Sequence, residues 1–302
     1  MIETENLTKT FGNVLAVDKL NIKVGEGEIF GFLGPNGAGK TTTVRMLTCL
    51  ISPTSGTARI NGFQVGSQDQ EIRRTVGILT ETPGFYDNLS AMKNLVIFAR
   101  LYEVTEPEKQ VEKYLQMLGL WDRRDDETGT FSKGMKQRLA IARALLHEPQ
   151  VVFLDEPTAG LDPEAARMVR DFILELKHQS RTVFLCTHNL DEADRLCDHI
   201  AVFKTRLLVF DTPGRLRTEV FGRKVVLHLA DPEPELADKI SKLPYVHNAS
   251  FVDSKLVAGV DDPETNNPAL IRFLVGQGAQ IQFVGELRRS LEDVYLELVR
   301  SK

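Results

Sequence analysis

A glycine-rich segment near the start of the chain has the spacing of a phosphate-binding loop. Residues 34–41 read G-P-N-G-A-G-K-T, which fits the pattern G-x-x-x-x-G-K-S/T at every defined position. Glycines let backbone N–H groups turn inward around a phosphate, and a following helix adds the positive end of its dipole. Lys40 is therefore expected to reach the β- and γ-phosphates of a nucleoside triphosphate, and Thr41 to place its hydroxyl on Mg²⁺.

The flanking residues supply the strand and the helix that such a loop requires. Residues 29–33 form an apolar run, and Val44, Leu47 and Leu50 recur downstream at helical spacing. We therefore predict a strand, a phosphate loop and a helix in that order. The nucleotide-binding residues predicted in this segment are Gly34, Pro35, Asn36, Gly37, Ala38, Gly39, Lys40, Thr41 and Thr42.

Two acidic residues follow a second apolar run. Residues 151–154 read V-V-F-L, which is typical of a strand buried on both faces, and Asp155 and Glu156 come directly after it. Carboxylates at the carboxyl end of a parallel strand lie beside the nucleotide crevice. Asp155 is suited to hold Mg²⁺, directly or through water, and Glu156 to polarise the attacking water. Taken alone, the pair is equally compatible with an acidic strand end in solvent.

Strand and helix patterns alternate around these motifs, which indicates an α/β fold with a mostly parallel sheet. Alternating residues at 20–24 and a hairpin pattern at 199–210 predict an additional antiparallel region. Between residues 84 and 148 the pattern becomes helical, so we predict a helical subdomain inserted between strands. The whole predicted domain spans residues 1–217.

Residues 218–302 are expected to form a small α+β accessory domain. Its predicted elements follow the order βαββαβ, which matches the ferredoxin-like split arrangement, and a last amphipathic helix carries Leu291, Val294 and Leu298. No phosphate-loop or metal-ligand pattern appears in this part of the sequence. A role in stability and dimerisation is therefore favoured over the binding of a small regulator.

Composition and charge restrict the possible partners. The 302 residues are 42% hydrophobic and 26% charged, as in globular proteins, with a net charge of −5. Nucleic-acid binding needs a concentrated positive face, so we expect no nucleic-acid partner.

Cys49, Cys186 and Cys197 lack metal-ligand spacing and are expected to be core residues in a reducing compartment. Neither a secretory signal nor an apolar run of ~20 residues is present, so a cytoplasmic protein that reaches the membrane only through a partner is expected.

The motifs occur in the order found in the ATP-binding cassette (ABC) ATPase family, which the chain resembles over residues 1 to about 215. Residues 131–138, F-S-K-G-M-K-Q-R, lie where that family has its L-S-G-G-Q signature, and Ser132 and Gly134 match. The segment A-G-L-D that ends at Asp162 resembles the D-loop of the family.

Two further residues extend this resemblance. His188 is similar to the family's switch histidine, and Phe11 resembles the aromatic residue on which adenine stacks. Each has a simpler explanation when taken singly: Phe11 as a residue of an edge strand, His188 as a strand-end cap, and Ser132 as the N-cap of any helix.

The resemblance implies a RecA-like P-loop fold and a mechanism that needs two copies of the chain. Two cassettes pair head-to-tail, and ATP lies between the phosphate loop of one copy and the signature of the other, where Ser132 and Gly134 contact the γ-phosphate. His188 would hold Glu156 and the water in line, and Asp162 would couple the two sites. ATP and Mg²⁺ are the expected ligands, and the homodimer is expected to separate after hydrolysis.

The family usually carries a glutamine at the position that aligns with Glu81, between the landmarks at residues 77–79 and 86–89. A glutamate keeps an oxygen for the metal or the water, but it adds a negative charge close to Asp155 and the triphosphate. Glu81 is therefore included among the predicted nucleotide and metal contacts. A register shift of one or two residues is the alternative.

The signature also departs from the family pattern, because Lys133 replaces a glycine and Met135 a glutamine. Lys133 either adds a cation near the opposing γ-phosphate or points to solvent, which is slightly favoured. The variant S-K-G-M-K-Q-R resembles that of bacterial and archaeal exporters of drugs, antibiotics or sodium, whose membrane subunits are separate chains. We therefore expect an ATPase that powers a separate permease, peripheral on the inner face of the cell membrane. The alternative is a soluble ABC ATPase that acts in translation, repair or assembly.

Overall fold

The computed structural model describes residues 1–80, 84–287 and 290–300. The chain divides into two compact units, Met1–Pro213 and Gly214–Lys302. The predicted boundary after residue 217 falls inside a helix, Pro213–Phe221. Each unit is described separately below.

The strands of the first unit are β1 (Ile2–Phe11), β2 (Val14–Val24), β3 (Ile29–Leu33), β4 (Ser55–Ile60), β5 (Phe63–Gln64), β6 (Val76–Leu79), β7 (Val151–Asp155), β8 (Thr182–Thr187), β9 (His199–Lys204) and β10 (Arg206–Asp211). Its helices are α1 (Lys40–Leu47), α2 (Asp69–Thr75), α3 (Ala91–Leu101), α4 (Pro107–Met117), α5 (Lys133–Leu145), α6 (Pro163–His178) and α7 (Leu190–Leu196). Helix α8 (Pro213–Phe221) begins at the last residue of this unit.

The central sheet of the first unit has the order β10-β9-β3-β8-β7-β6. Its pairs from β9 to β6 are parallel, and β10 returns antiparallel along β9. Every residue of β3 and β7 is buried, which is why both segments read as continuous apolar runs. Because the strands are parallel, the residues that follow β3, β7 and β8 meet at one edge of the sheet.

Aromatic side chains fill one face of this sheet. The ring centroids of Phe32 and Phe203 are 4.8 Å apart, and Phe184 lies 5.3 Å from both Phe32 and Phe153. All four rings are fully buried. Tilted ring contacts at these separations stabilise the folded sheet beyond the effect of apolar burial alone.

A second sheet, of order β2-β1-β4-β5, is antiparallel throughout. It confirms the predicted antiparallel region, and it includes the alternating segment 20–24 within β2. The carbonyl of Thr205, between β9 and β10, accepts from the Asp18 N–H at 2.7 Å, which ties β2 to the central sheet.

Helices α3, α4 and α5 form the predicted helical region between β6 and β7. A buried arginine, Arg181, links this region to the central sheet. It directly precedes β8, and its guanidinium donates to the Glu148 carboxylate and, at 3.2 Å, to the Tyr114 hydroxyl of α4. Glu148 also accepts from Gln110 at 2.5 Å and Lys113 at 2.6 Å, both on α4. The Glu148 carboxylate therefore joins α4 to the residue that precedes β8 through ion pairs with Lys113 and Arg181.

The strands of the second unit are β11 (Lys224–Leu229), β12 (Val246–Val252), β13 (Lys255–Val260) and β14 (Ile281–Glu286). Its helices after α8 are α9 (Glu235–Ile240), α10 (Pro263–Gly276) and α11 (Leu291–Arg300).

The sheet of the second unit is antiparallel with order β12-β13-β11-β14, which is the ferredoxin-like order predicted from βαββαβ. Apolar residues of the strands pack with α9 and α10 in a separate core.

Three helices were not predicted from the sequence. Helices α2 and α7 have seven residues each, too few for a periodic apolar pattern to stand out. Helix α8 begins at Pro213 and spans the domain boundary predicted after residue 217. Proline at a first helical position is favourable because its missing N–H has no partner to lose there. Within the described ranges, no helix has both the length and the apolar character that a bilayer span requires.

Candidate nucleotide-binding and hydrolysis site

The phosphate loop joins β3 to α1 as predicted. Gly39 precedes the helix with φ +103°, and a Cβ at this residue would stand 2.3 Å from the Ala16 carbonyl oxygen of β2. The ring of Phe203 closes the other side, 3.1 Å from the same position. Only glycine adopts this backbone angle without strain and leaves room for Ala16 and Phe203. The loop can therefore pack directly against β2 and β9.

Replacement of Gly39 with alanine is expected to lower both the stability of the protein and its affinity for nucleotide. A left-handed backbone costs about 1–2 kcal/mol for a residue with a Cβ, and here the new methyl group also collides with backbone. Urea unfolding and nucleotide titration measure the two effects. Gly62→Ala is the matched control, since Gly62 has φ +84° but nothing within 4 Å of its Cβ position. Equal losses of stability in the two variants would show that the contact with Ala16 has no effect.

Lys40 lies inside the loop. Its ammonium donates to the carbonyl oxygen of Gly34 at 2.6 Å and to that of Pro35 at 3.2 Å, and the residue is 6% exposed. Two carbonyl acceptors thus hold the ammonium inside the loop. A triphosphate offers this ammonium stronger, charged acceptors.

Thr41 and Asp155 come together although 114 positions separate them in sequence. The Thr41 hydroxyl donates to Asp155 Oδ2 at 3.1 Å, at the junction of α1 with the end of β7. Asp155 is 9% exposed. A hydroxyl oxygen beside a carboxylate oxygen is a donor set that suits a hard divalent cation such as Mg²⁺.

Glu156 follows β7 with a left-handed backbone, φ +50°. Its N–H donates to the carbonyl of Cys186 on β8 at 2.9 Å, which holds this conformation. Carboxylate oxygen Oε1 lies 2.8 Å from Nδ1 of His188, whose side chain is 65% exposed. Residues with such strained backbone conformations are common at active sites, where the surrounding structure holds them in place.

Ser132, Gly134 and Asp162 form a second group, at the N-termini of α5 and α6. Ser132 caps α5 and accepts from the Met135 N–H at 3.2 Å, and Asp162 caps α6 and accepts from the Ala165 N–H at 2.8 Å. A Cβ at Gly134 would lie 3.3 Å from Ala165 Cβ and 4.0 Å from Asp162 Oδ2. The signature and the D-loop of one chain are therefore neighbours.

Lys133 extends across the D-loop. The residue is exposed, as the favoured interpretation expected, and its Nζ stands 2.2 Å from the Cβ position of Gly160. The exposed side chain therefore lies over Gly160.

Phe11 ends β1 and is 49% exposed. The hairpin that it begins leads into β2, which contacts the phosphate loop at Ala16. Lys9 Nζ lies 5.0 Å from the ring centroid of Phe11, in cation–π contact. Glu81, the remaining predicted site residue, lies outside the described residues.

The sequence did not single out Thr187 and Glu192, which the structure places beside Glu156. The Thr187 hydroxyl lies 3.5 Å from Glu156 Oε2 and 3.2 Å from Glu192 Oε2. The spacing Asn189-x-x-Glu192 was the available signal, since it has the form of a helix capping box. That pattern predicts a helix start and gives no reason to expect contact with Glu156.

The fold and the loop define a P-loop nucleotide-binding protein, and comparison with known proteins gives the family. The family model for ABC transporters matches residues 17–159. The chain is 42% identical over 300 residues to the bacitracin transport ATP-binding protein BcrA of Enterococcus faecalis, covering 99% of this chain and 96% of the relative. It is 34% identical over 303 residues to the Nod factor export ATP-binding protein I of Cupriavidus metallidurans, with coverages of 99% and 97%.

A solved structure shows the same similarity. It is the dimer of an ATP-binding cassette in a post-hydrolysis state bound to ADP and Pi, with TM-score 0.64 and 26% identity, and the match covers 70% of this chain and 98% of that one. The protein belongs to the ATP-binding proteins of the ABC transporter family, an ATPase family.

Proposed function

We propose that this chain is the ATP-hydrolysing subunit of an exporter whose membrane permease is a separate polypeptide. The observation that carries the proposal is the convergence of Lys40, Thr41, Asp155, Glu156 and His188 at the carboxyl ends of β3, β7 and β8. Cation, hydroxyl and carboxylates at that edge are what phosphoryl transfer to water requires.

The residues present fit Mg²⁺ as the metal. Thr41 and Asp155 would hold it, because their oxygens already adjoin at 3.1 Å where α1 meets β7. Bound there, Mg²⁺ would neutralise charge on the phosphate oxygens. Glu81 is proposed as a further contact to metal or water.

The chain's own residues bind and orient the reactants. Lys40 would exchange its carbonyl partners for the β- and γ-phosphates, and the loop amides of residues 34–42 would donate to the same oxygens. Phe11 would stack on adenine. The Lys9 ammonium lies over the Phe11 ring, so it would place a positive charge near the nucleotide in addition to Lys40.

Glu156 would hold the attacking water by accepting its hydrogen bond, since its carboxylate lies beyond Asp155 at the end of β7. His188 would fix the direction of that carboxylate through the 2.8 Å contact at Oε1 and present its other ring nitrogen to the γ-phosphate.

A second copy of the chain would complete each site. Ser132 and Gly134 begin α5, a helix whose N-terminus suits a γ-phosphate, and they adjoin Asp162 of the same chain. A similar cassette is a dimer bound to ADP and Pi, which supports a homodimer here. The two copies would pair head-to-tail, and Asp162 would link the two sites. We assign the second unit, with its separate core, to stabilising that dimer.

The names of relatives support transport in the export direction. One is described as a bacitracin transport protein and another as a Nod factor export protein, and each is covered over more than 90% of its length. The proposed location is the cytoplasmic face of the cell membrane, reached by binding the permease.

Purification of the tagged chain from detergent-solubilised membranes tests this function. We expect one integral membrane protein at constant ratio to the chain, and we expect it to change the ATP hydrolysis rate of the purified chain. The Glu156→Gln variant serves as the control for hydrolysis that does not come from this site. Recovery with ribosomes or DNA-repair proteins, and no membrane protein, would favour the soluble alternative instead.

A further inference from the structure

Glu192 is a buried carboxyl group beside the proposed active site that has no assigned role. It lies on α7 and is 2% exposed, and its Oε1 has no hydrogen-bond partner of normal geometry among the described residues. Glutamate is almost never fully buried unless it is paired. The position therefore calls for an explanation.

Helix capping does not account for this carboxyl group. In a complete capping box the glutamate side chain would accept from the backbone N–H of the cap residue, Asn189. Here that N–H donates to the Thr187 hydroxyl at 3.0 Å, and only the reciprocal bond forms, from the Glu192 N–H to Asn189 Oδ1 at 3.0 Å. The Glu192 carboxyl group is turned instead toward Thr187.

Thr187 stands between two carboxyl groups. Its hydroxyl oxygen is 3.2 Å from Glu192 Oε2 and 3.5 Å from Glu156 Oε2, and the residue is 1% exposed. A hydroxyl carries one hydrogen and accepts two bonds. If both carboxyl groups were ionised, one of them would face the hydroxyl without a donor, and the two charges would repel each other.

One added proton gives each of the two carboxyl groups a hydrogen bond with Thr187. If Glu192 carries it, Glu192 donates to Thr187, Thr187 also accepts from Asn189, and the Thr187 hydrogen turns to Glu156. Glu156 is the more exposed of the two carboxyl groups, at 17%, and it is the one that must accept a hydrogen bond from water.

The electrostatic surroundings agree with a neutral Glu192. Burial raises the pKa of Glu192 above its ordinary value, and the charge of Glu156 raises it further. The hydroxyls of Thr158 and Thr187 and the guanidinium of Arg170 on α6 oppose this rise in the pKa. Cys197, at the end of α7, is a buried thiol whose own pKa is raised, so it adds no charge.

We propose that Glu192 is a positioning residue: as a neutral acid it donates to Thr187, which directs the Thr187 hydroxyl onto Oε2 of Glu156. This inference rests on the proposed role of Glu156. Since His188 approaches Oε1 of the same carboxylate, two consecutive residues at the end of β8 fix its two oxygens. The carboxylate then has one orientation toward the water, and the proton on Glu192 is not consumed in the reaction.

A double-mutant cycle between positions 192 and 187 tests the proposal by single-turnover ATP hydrolysis. We expect Glu192→Ala to lower the rate about tenfold, because a carboxylate that loses its alignment loses much of its effect. The dissociation constant for ATP should stay within about twofold. Thr187→Val should lower the rate similarly, and Glu192→Ala in that background should cause no further loss.

Two conservative variants separate positioning from structure. Glu192→Gln keeps the shape and an N–H donor for Thr187, so it should restore most of the rate that Glu192→Ala loses. Asp191→Asn removes the neighbouring exposed charge from the same helical turn and serves as the matched control. Glutamine as damaging as alanine, or additive losses in the cycle, would overturn the proposal.

The pH dependence gives an independent readout. The neutral form of Glu192 is fully present below its raised pKa and is lost as pH rises through it. Glutamine cannot ionise, so the rate of Glu192→Gln relative to the parent should be constant or increase with pH. A ratio that falls with pH would contradict the proposal. If Glu156→Gln is inactive while the cycle is additive, only the role of Glu192 fails; if Glu156→Gln retains activity, the proposed function fails.

Discussion

Replacement of Glu156 with glutamine should lower the rate of ATP hydrolysis by about a hundredfold or more while ATP still binds. The amide has nearly the same shape and can still meet His188, but it is a poor acceptor for a proton from the attacking water. The residues proposed to contact the phosphates should stay in place, since Lys40 and Thr41 have their own partners in the loop and on β7. Phosphate release under single-turnover conditions gives the rate, and fluorescent-nucleotide titration gives the affinity.

The Glu156→Gln substitution should change the carboxylate without changing the left-handed backbone at this position. Glutamine has the same branching as glutamate, so φ +50° and the N–H bond to Cys186 should persist. Glu175→Gln, on the exposed side of α6, removes an equal charge away from the site. A Glu156→Gln protein that hydrolyses ATP within a few-fold of the parent would remove this carboxylate from the chemical step.

Replacement of Lys40 with alanine should weaken ATP binding itself by about a hundredfold. Charged hydrogen bonds to phosphate contribute on the order of 1.5–3 kcal/mol each, and tenfold in affinity is about 1.4 kcal/mol. Truncation also leaves the carbonyls of Gly34 and Pro35 without their buried donor, which loosens the loop. Isothermal titration with a slowly hydrolysed ATP analogue measures the effect.

The contrast between these two variants separates binding from chemistry. Lys93→Ala, at an exposed position of α3, controls for the loss of a positive charge. Equal ATP affinity in Lys40→Ala and the parent would show that the ammonium does not reach the phosphates.

Local patterns predicted the parts of the site that depend on neighbouring residues in sequence. The phosphate loop follows from glycine spacing between a buried strand and a helix, and Asp155 and Glu156 follow from their place after β7. Parallel strands place such strand ends at one edge of a sheet, so the meeting of Thr41 with Asp155 was foreseeable. The strand order of the second unit was foreseeable because a short turn makes β12 and β13 neighbours, and because the βαββαβ pattern matches the ferredoxin-like arrangement.

Contacts that depend on side-chain orientation were not foreseeable. Nothing in the sequence shows that Glu156 has a left-handed backbone or that the Glu192 side chain leaves its cap to face Thr187. Both result from the packing of α7 and β8 beside the end of β7, which is a tertiary effect. The capping pattern at Asn189 coincides with the start of α7, but the Glu192 carboxyl group contacts Thr187 and not the Asn189 N–H.

The mass of the Glu156→Gln protein in solution, with and without Mg²⁺ and ATP, tests most directly whether two copies enclose the nucleotide. Light scattering should give the mass of one chain without ATP and twice that mass with it, because slow hydrolysis preserves the phosphate that is proposed to join the copies. Adding Lys40→Ala to the same chain should abolish the ATP-dependent increase. A Glu156→Gln protein that is saturated with ATP and still has the mass of one chain would contradict the shared site.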